Sequence, residues 1–344
     1  MGYWVWGGGW LQIGDTNNDT NLGYQDFAGS GAVHMVGGCA GLVGAIMVGP
    51  RLYMDDGIGG YKPRFEEDGT VNEPAMATSS LPFSALGTLI LWVGWYGFNP
   101  GSTGTMSSES DAQAASNAAM TTTISAATAG LVIMVEQLWS SSWHHMDVME
   151  FANALLSGLV AATAGCDVLS PWSSIAVGAV AAYIYTQANK AVHHFQIDDV
   201  VDAAAVHGAS GAWGCIAVGL FEPNEGMLTQ ALEGKFAIAL LRTQLIGIAA
   251  LAALGAIPLF FICKWLKSLN MLRTSEEEEM MGIDKYIFQM NAYHDTYTDV
   301  SQTKVPSSAP ANGSAQVKMS GTYAALDDKD ALVVESEAAK KYSS

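Results

Sequence analysis

The chain has 344 residues and a formal net charge of −18, from 15 Lys and Arg against 33 Asp and Glu. Only 14% of the residues are charged, 50% are hydrophobic and the mean hydropathy is +0.21, whereas a soluble domain carries about 25% charge. This balance excludes a set of ordinary soluble domains, and the negative charge excludes a phosphate-binding surface and with it nucleic acid as a partner. The four cysteines (Cys39, Cys166, Cys215, Cys263) lie in or beside apolar runs with no CxxC pair, so no disulfide framework is expected.

A helix crossing ~30 Å of hydrocarbon at ~1.5 Å per residue needs about 20 residues with few charges. Seven stretches meet this, near 31–49, 81–99, 117–139, 148–166, 174–189, 203–221 and 236–263; the third carries Glu136 and the fifth is short. They are dense in Gly, Ala, Ser and Thr, which let helices approach closely inside a bilayer. The expected fold is all-α: a polytopic transmembrane helical bundle over residues 1–273. If the first span exits inward, Arg51, Lys62, Arg64, Lys190, Lys264, Lys267 and Arg273 fall on the inner side, and only Lys235 falls in an outer loop. The positive-inside rule then puts the N-terminus outside and the C-terminus in the cytoplasm. No signal peptide precedes the first span, and the opening MGYWVWGGGW reads as the interior of a longer protein.

From Thr274 the composition shifts to a Glu276–Glu279 run and then to Ser, Thr, Ala and Lys with scattered acids. Residues 274–344 form a cytoplasmic C-terminal tail, expected to be mostly disordered because it has too little apolar surface to offset ordering entropy. The glycosylation sequon at Asn312 is a chance match in such a tail.

Two spans share a pattern when written from their acidic entry residue, DFAGSGAVHMVGGCAG from Asp26 and DVVDAAAVHGASGAWG from Asp199. Both read D-x7-H-x3-G-x2-G, with His34 and His207 at the same offset and Gly38/Gly41 matching Gly211/Gly214. Four spans separate the copies, so they run in opposite directions, as in an inverted-topology repeat whose ligand path lies at the repeat interface. Eight residues of helix carry each His ~12 Å from its Asp, deep in the bundle. An ionisable side chain there is costly unless it faces a partner or a cavity. The bland reading is a His pair that only bonds two helices together; two His in a matched repeat favour function. Neutral imidazole accepts on one nitrogen and donates on the other. A narrow apolar passage lined by two of them suits a small polar solute able to shed a proton, rather than a bare metal ion. Asp26 and Asp199 are first candidates for capping the spans that follow. Alternatively, Asp26 steadies an entering cation through its field; Asp198 and Asp202 are read as solvated or capping neighbours.

DFAGSGAVH, GWYGFNPGS and VHGASGAWG, in that order, resemble the ammonium transporter family (Amt/Mep/Rh), on the Amt side, from Trp6 to about Tyr293. The resemblance implies homotrimers of eleven-span subunits, each with its own pore, carrying ammonium or methylammonium. It implies that His34 and His207 are the twin histidines of the pore. Trp6, Ser102 and Asp26 would form the outer cation site, and Phe98 one ring of the gate below it. A Trp face attracts a desolvated cation by ~2 kcal/mol, and a Ser hydroxyl can accept an ammonium hydrogen bond. The implied mechanism recruits NH4+ outside and passes it as NH3, with or without its proton. The outer-loop acids Asp15, Asp19, Glu109, Asp111, Asp167, Glu222, Glu225 and Glu233 either concentrate cations at the mouth or simply keep the loops hydrated. His144-His145 and His193-His194 read as solvated loop residues.

EEEEMMGIDKYIFQMNAY resembles the family's C-terminal region through Gly282, Asp284, Ala292 and Tyr293, without its Thr-containing phosphosite; Thr296 and Thr298 lie beyond it. About seven of eleven spans are present, the first four being absent, so the chain reads as a partial transporter. Alternatives are an ammonium sensor with little flux, an Rh-type neutral gas channel, or an inactive truncated product. No Ser/His/Asp set, metal cluster or phosphate loop appears, so neither an enzyme nor a cofactor or bound metal is expected. The location expected is the lipid bilayer of the plasma membrane.

Overall fold

In a hydrocarbon layer each backbone N–H must find its acceptor within its own segment, which leaves helices as the form for long apolar runs. The computed structural model describes residues 1–14, 22–55, 60–63, 80–142 and 144–289. Two short helices, α1 (Gly2–Trp6) and α2 (Trp10–Ile13), precede a π-helical turn, Ser30–Met35, which runs into α3 (Val36–Val48). Then come α4 (Leu81–Phe98), α5 (Glu109–Ser140), α6 (Val148–Ala162) and α7 (Pro171–His194). A second π-helical turn, Ala204–Ala209, runs into α8 (Ser210–Phe221), followed by α9 (Met227–Leu232), α10 (Ala239–Ser268) and α11 (Glu276–Met281).

The starts of these helices are written in the sequence. The Ser80 and Ser108 side chains accept from Phe83 and Asp111 N–H, Asp147 accepts from Met149 and Glu150 N–H, and Ser170 and Ser173 close a capping box with Pro171 at the first position. Among the described residues, five segments are long and apolar enough to cross a membrane: Ser30–Val48, Leu81–Thr103, Glu109–Ser140, Ala204–Phe221 and Ala239–Ser268. The other two expected spans are helices of a different kind. α6 has only 15 residues, and α7 has 24 but carries Thr186, Gln187, Asn189 and Lys190. Both sit against α5, where protein rather than lipid surrounds much of their surface. Gly158 of α6 and Gly178 of α7 converge on one turn of α5: a Cβ would lie 2.7 Å and 2.2 Å from the Ser125 carbonyl oxygen. The Ser125 hydroxyl donates to Gly158 O at 2.8 Å.

One addition to the helical architecture is a two-stranded antiparallel ribbon, β1 (Leu52–Asp55) and β2 (Gly60–Pro63), pairing Leu52 with Pro63 and Asp55 with Gly60. α11 reaches this ribbon: Glu279 accepts from Leu52 N–H at 2.8 Å and from Arg273. The start of the expected tail is therefore helical through Met281, with a further π turn at Asp284–Phe288. Residues 291–344 form a separate unit outside the described residues, with Ala292, Tyr293, Thr296, Thr298 and Asn312. Asp15, Asp19 and Arg64 also lie outside them.

The two copies of the repeat cross as a pair related by a shift of 173 residues, the separation of His34 and His207. A Cβ on Gly38 would lie 2.1 Å from Gly208 N; shifting both partners by 173 gives Gly211 and Met35, and a Cβ on Gly211 would lie 2.9 Å from Met35 N. Likewise Gly41 faces Ala203, and its counterpart Gly214 faces Ser30. Contacts thus map onto contacts under one exchange of the copies, and the paired numbers rise in one helix as they fall in the other. That is an antiparallel crossing about a local two-fold, centred near His34 and His207.

Candidate pore site

At the crossing, His34 Nδ1 and His207 Nδ1 lie 3.2 Å apart, with nearly parallel rings (11°) whose centres are 5.3 Å apart. Both residues sit in the π-helical turns. A π turn widens the helix and frees carbonyls from the regular ladder, a distortion that often marks functional positions. A bond between two Nδ1 atoms requires one to donate and the other to accept, so the rings hold opposite tautomers. One Nε2 is then a donor and the other an acceptor. His34 Nε2 is buried and has no partner, so a hydrogen-bonding function of the site is left unfilled.

Trp95 completes this cluster. Its ring stacks on His34 at 5.0 Å and 10°, and its indole N–H donates to Thr163 Oγ1 at 3.1 Å. Phe98, one turn further along α4, lies 5.5 Å from His34 and 6.0 Å from Trp95. Sequence reasoning named Phe98 and missed Trp95, although a spacing of three puts both on one helix face.

Asp26 is buried, and both its oxygens face backbone: Oδ1 accepts from Gly29 N–H, and Oδ2 from Gly31 and Ala32 N–H, at 2.8–3.0 Å. Asp199 accepts from Ala204 N–H at 2.7 Å, five residues on, the same offset as Asp26 to Gly31. The indole N–H of Trp6 donates to the Asp26 carbonyl oxygen at 2.7 Å, which fixes the ring while leaving 44% of the residue exposed. Ser102 lies in the 3-10 turn Pro100–Thr103, and its hydroxyl donates to Phe98 O at 2.7 Å. Ser102 is thereby tied to Phe98, while no hydrogen bond joins it to Trp6 among the described residues.

The neighbouring acids are not simple solvated caps. Asp198 takes a bidentate contact from Arg51 at 2.8 and 2.9 Å, and accepts from Arg51 N–H as well. Asp202 lines a cavity of about 700 Å³ that also contains His207, Tyr185, Asn153 and His193. Glu222 is buried and accepts from Asn224 and Glu225 N–H. Burial chiefly, with a smaller push from the Glu222 charge, lifts the carboxyl of nearby Asp167 to about 6. His144, His145 and His194 are exposed, whereas His193 is half-buried. Among the described residues no three His, Cys, Asp or Glu side chains are grouped to hold a metal ion.

Residues 1–293 match the profile of the ammonium transporter family. Ammonium transporter 1 member 1 of Arabidopsis thaliana is 38% identical over 83% of this chain and 58% of its own length. Ammonium transporter Amt2 of Archaeoglobus fulgidus is 37% identical over 82% of this chain and 58% of its own length. Among solved structures, a sensor Amt protein superposes with a TM-score of 0.67 at 28% identity, covering 83% of this chain and 65% of that one. Candida albicans Mep2 gives 0.62 at 30%, covering 83% and 59%. The chain therefore spans less than two thirds of the length of the relatives it matches. With the family profile covering most of its length and antiparallel His-bearing helices at its centre, the chain belongs to the ammonium transporter family, a family of transporters rather than of enzymes.

Proposed function

We propose that this chain forms the twin-histidine part of a membrane pore that carries ammonium or methylammonium, with Trp6, Ser102 and Asp26 at the outer site, Phe98 at the gate and His34 and His207 along the passage. The observation that carries this reading is the Nδ1 pairing of the two histidines, which leaves the buried His34 Nε2 free for a small polar solute. Ammonia can donate to one imidazole and accept from another, so opposite tautomers suit it. Taking an unaccompanied ion through an apolar passage costs tens of kcal/mol, so the pore passes NH3 or replaces the ion's hydration shell closely.

At the outer site, the Ser102 hydrogen is spent on Phe98 O, which leaves its lone pairs for an ammonium N–H. The Trp6 ring is held through its nitrogen, and its face is left for the cation. Asp26 acts through the backbone groups it orders, and Asp199 plays the matching structural part at the other copy. The working assembly is a homotrimer in the plasma membrane with the C-terminus cytoplasmic. That orientation places Arg51, Lys190 and Arg273 on the inner side.

The test is methylammonium uptake by a transport-deficient host expressing the chain, compared with the variant His207→Ala plus Ser102→Ala. Uptake is expected to fall by at least about tenfold, equivalent to ~1.4 kcal/mol in the barrier; unchanged uptake overturns the reading. The likeness to a sensor Amt protein supports a second reading, ammonium sensing with little flux. It predicts ammonium-dependent partner binding by the C-terminal tail in the absence of uptake.

A further inference from the structure

The hydroxyl of Ser30 sits inside the hydrogen-bond ladder of another helix. Ser30 Oγ donates to Val160 O at 2.6 Å and accepts from Ala164 N–H at 2.7 Å. Val160 O and Ala164 N–H stand four residues apart, so in a continuing helix they would bond to each other. Here the hydroxyl bridges them, and a side chain that enters a ladder in this way bends or ends the helix. α6 stops at Ala162, and the turn beyond it tightens: Thr163 N–H donates to Val160 O and Gly165 N–H to Ala162 O, each three residues back. No proline occurs between positions 148 and 170 to force that stop. Ser30 is fully enclosed, and Gly214 of α8 leaves it room, since a Cβ there would lie 2.6 Å from Ser30 Oγ.

Two parts of the site take their reference from this bridge. The opened end of α6 offers its carbonyls to the loop before His34: Thr163 O accepts from Ala28 N–H at 3.1 Å and Ala164 O from Phe27 N–H at 2.8 Å. The N–H groups that follow, of Gly29, Gly31 and Ala32, go to Asp26. On its side-chain side, Thr163 Oγ1 receives the indole N–H of Trp95, whose ring stacks on His34. His34 is thus set from two directions, through the turn that carries it and through the ring beside it, and both lead back to the Ser30 hydroxyl. The second copy of the repeat has no such device. Exchange of the copies maps Ser30 onto Ala203 and Gly214 onto Gly41, and alanine has no hydroxyl with which to bridge.

We infer that Ser30 is a positioning residue for the half of the pore built around Asp26 and His34: by occupying the opened bond between Val160 and Ala164 it fixes Thr163, and through Thr163 the Trp95 ring against His34. The inference rests on the transport reading for its consequence on flux, but not for its spectroscopic readout. In Ser30→Ala the buried Ala164 N–H and Val160 O each lose a partner, and buried polar groups left unpaired are costly. They then pair with each other, α6 lengthens, Thr163 turns away from Trp95, and Phe27 and Ala28 N–H lose their acceptors.

The experiment labels the full chain, reconstituted in lipid vesicles, with 5-fluorotryptophan and follows the Trp95 fluorine resonance, identified among the ten tryptophans by Trp95→Phe. Ser30→Ala is expected to shift that resonance and to speed amide hydrogen exchange in residues 26–32 by about tenfold. Thr163→Val, which leaves the Ser30 bridge in place, is expected to shift the resonance with exchange in 26–32 unchanged. An unmoved Trp95 resonance in Ser30→Ala, or wild-type exchange in 26–32, overturns the inference. If Ser30→Ala does not fold, Thr163→Val decides it: a shifted resonance supports the relay and an unmoved one overturns it. Methylammonium uptake is measured on the same vesicles, and maximal uptake by Ser30→Ala is expected to fall by at least about fivefold; full uptake by that variant also overturns the inference. Wild-type uptake with a resonance that Ser30→Ala leaves unmoved removes the positioning role alone. A Ser30-dependent resonance in a wild type that takes up no methylammonium removes the transport reading alone.

Discussion

The Nδ1 to Nδ1 bond between His34 and His207 makes the two residues a unit, since the tautomer of one dictates that of the other. Trp95 adds a flat wall parallel to His34 and anchors itself on Thr163, so the imidazole plane is set by packing as well as by its partner. The two repeat acids differ in how much they hold. Asp26 accepts from three backbone N–H groups, and Asp199 from Ala204 N–H. Hydrogen bonds to a charged acceptor are worth about 1.5–3 kcal/mol each, and stranding buried donors adds to the loss. Asp26→Ala is therefore expected to destabilise the detergent-solubilised protein by several kcal/mol, roughly twice the effect of Asp199→Ala. Chemical denaturation midpoints of the two variants check this; equal losses would remove the assigned difference.

At the scale of elements, small residues decide how closely the two His-bearing segments cross. Gly38 faces Gly208, and Gly211 faces Met35, with no room for a Cβ on either glycine. The local two-fold makes a specific demand: damage at Gly38 must resemble damage at Gly211. Gly38→Val and Gly211→Val are each expected to cost ~3 kcal/mol or more through overpacking and backbone displacement. Both should lower the thermal midpoint by similar amounts and reduce uptake together. A large loss in one with none in the other would break the symmetry argument. The helices themselves were legible from apolar length and from Ser and Asp caps. The π turns at Ser30–Met35 and Ala204–Ala209 were not, because a shift from i+4 to i+5 bonding leaves no mark in composition or spacing. α7 is the converse case. Its Thr186, Gln187 and Asn189 weaken the apolar signal, and burial against α5 and α8, not hydropathy, accounts for its place.

At the scale of the whole chain, the apolar surface is unevenly used. α4 leaves Phe83, Ile90 and Val93 more than 60% exposed, while α6 and the start of α8 are almost wholly enclosed. An exposed face of this size calls for lipid or further protein around it. A nitroxide at Val93→Cys in lipid is expected to relax faster with oxygen than with a water-soluble nickel chelate, and one at Ser110→Cys, in the first turn of α5, the reverse. Greater nickel access at position 93 would remove α4 from the bilayer. Trp95 is buried on the other side of α4, but Phe98 at its end is itself 37% exposed, so what covers α4 bears on the site through Phe98.

The sequence by itself determined the helical membrane character, the repeat that pairs His34 with His207, and the family, because apolar length, spacing and motif order are properties of the chain in one dimension. In the sequence the fifth span, α7, is short and the fourth, α6, looks complete; that α6 has only 15 residues and that both pack against α5 comes from the structure. Only the tertiary structure decided which atoms meet. It turned the two imidazoles Nδ1 to Nδ1, set Trp95 beside them, spent both oxygens of Asp26 on backbone, and drew Tyr185 and Asn153 from separate helices onto Asp202. Those pairings join residues far apart in the chain, and their geometry follows from how helices cross. Close packing of small residues sets that crossing, and no local preference encodes it.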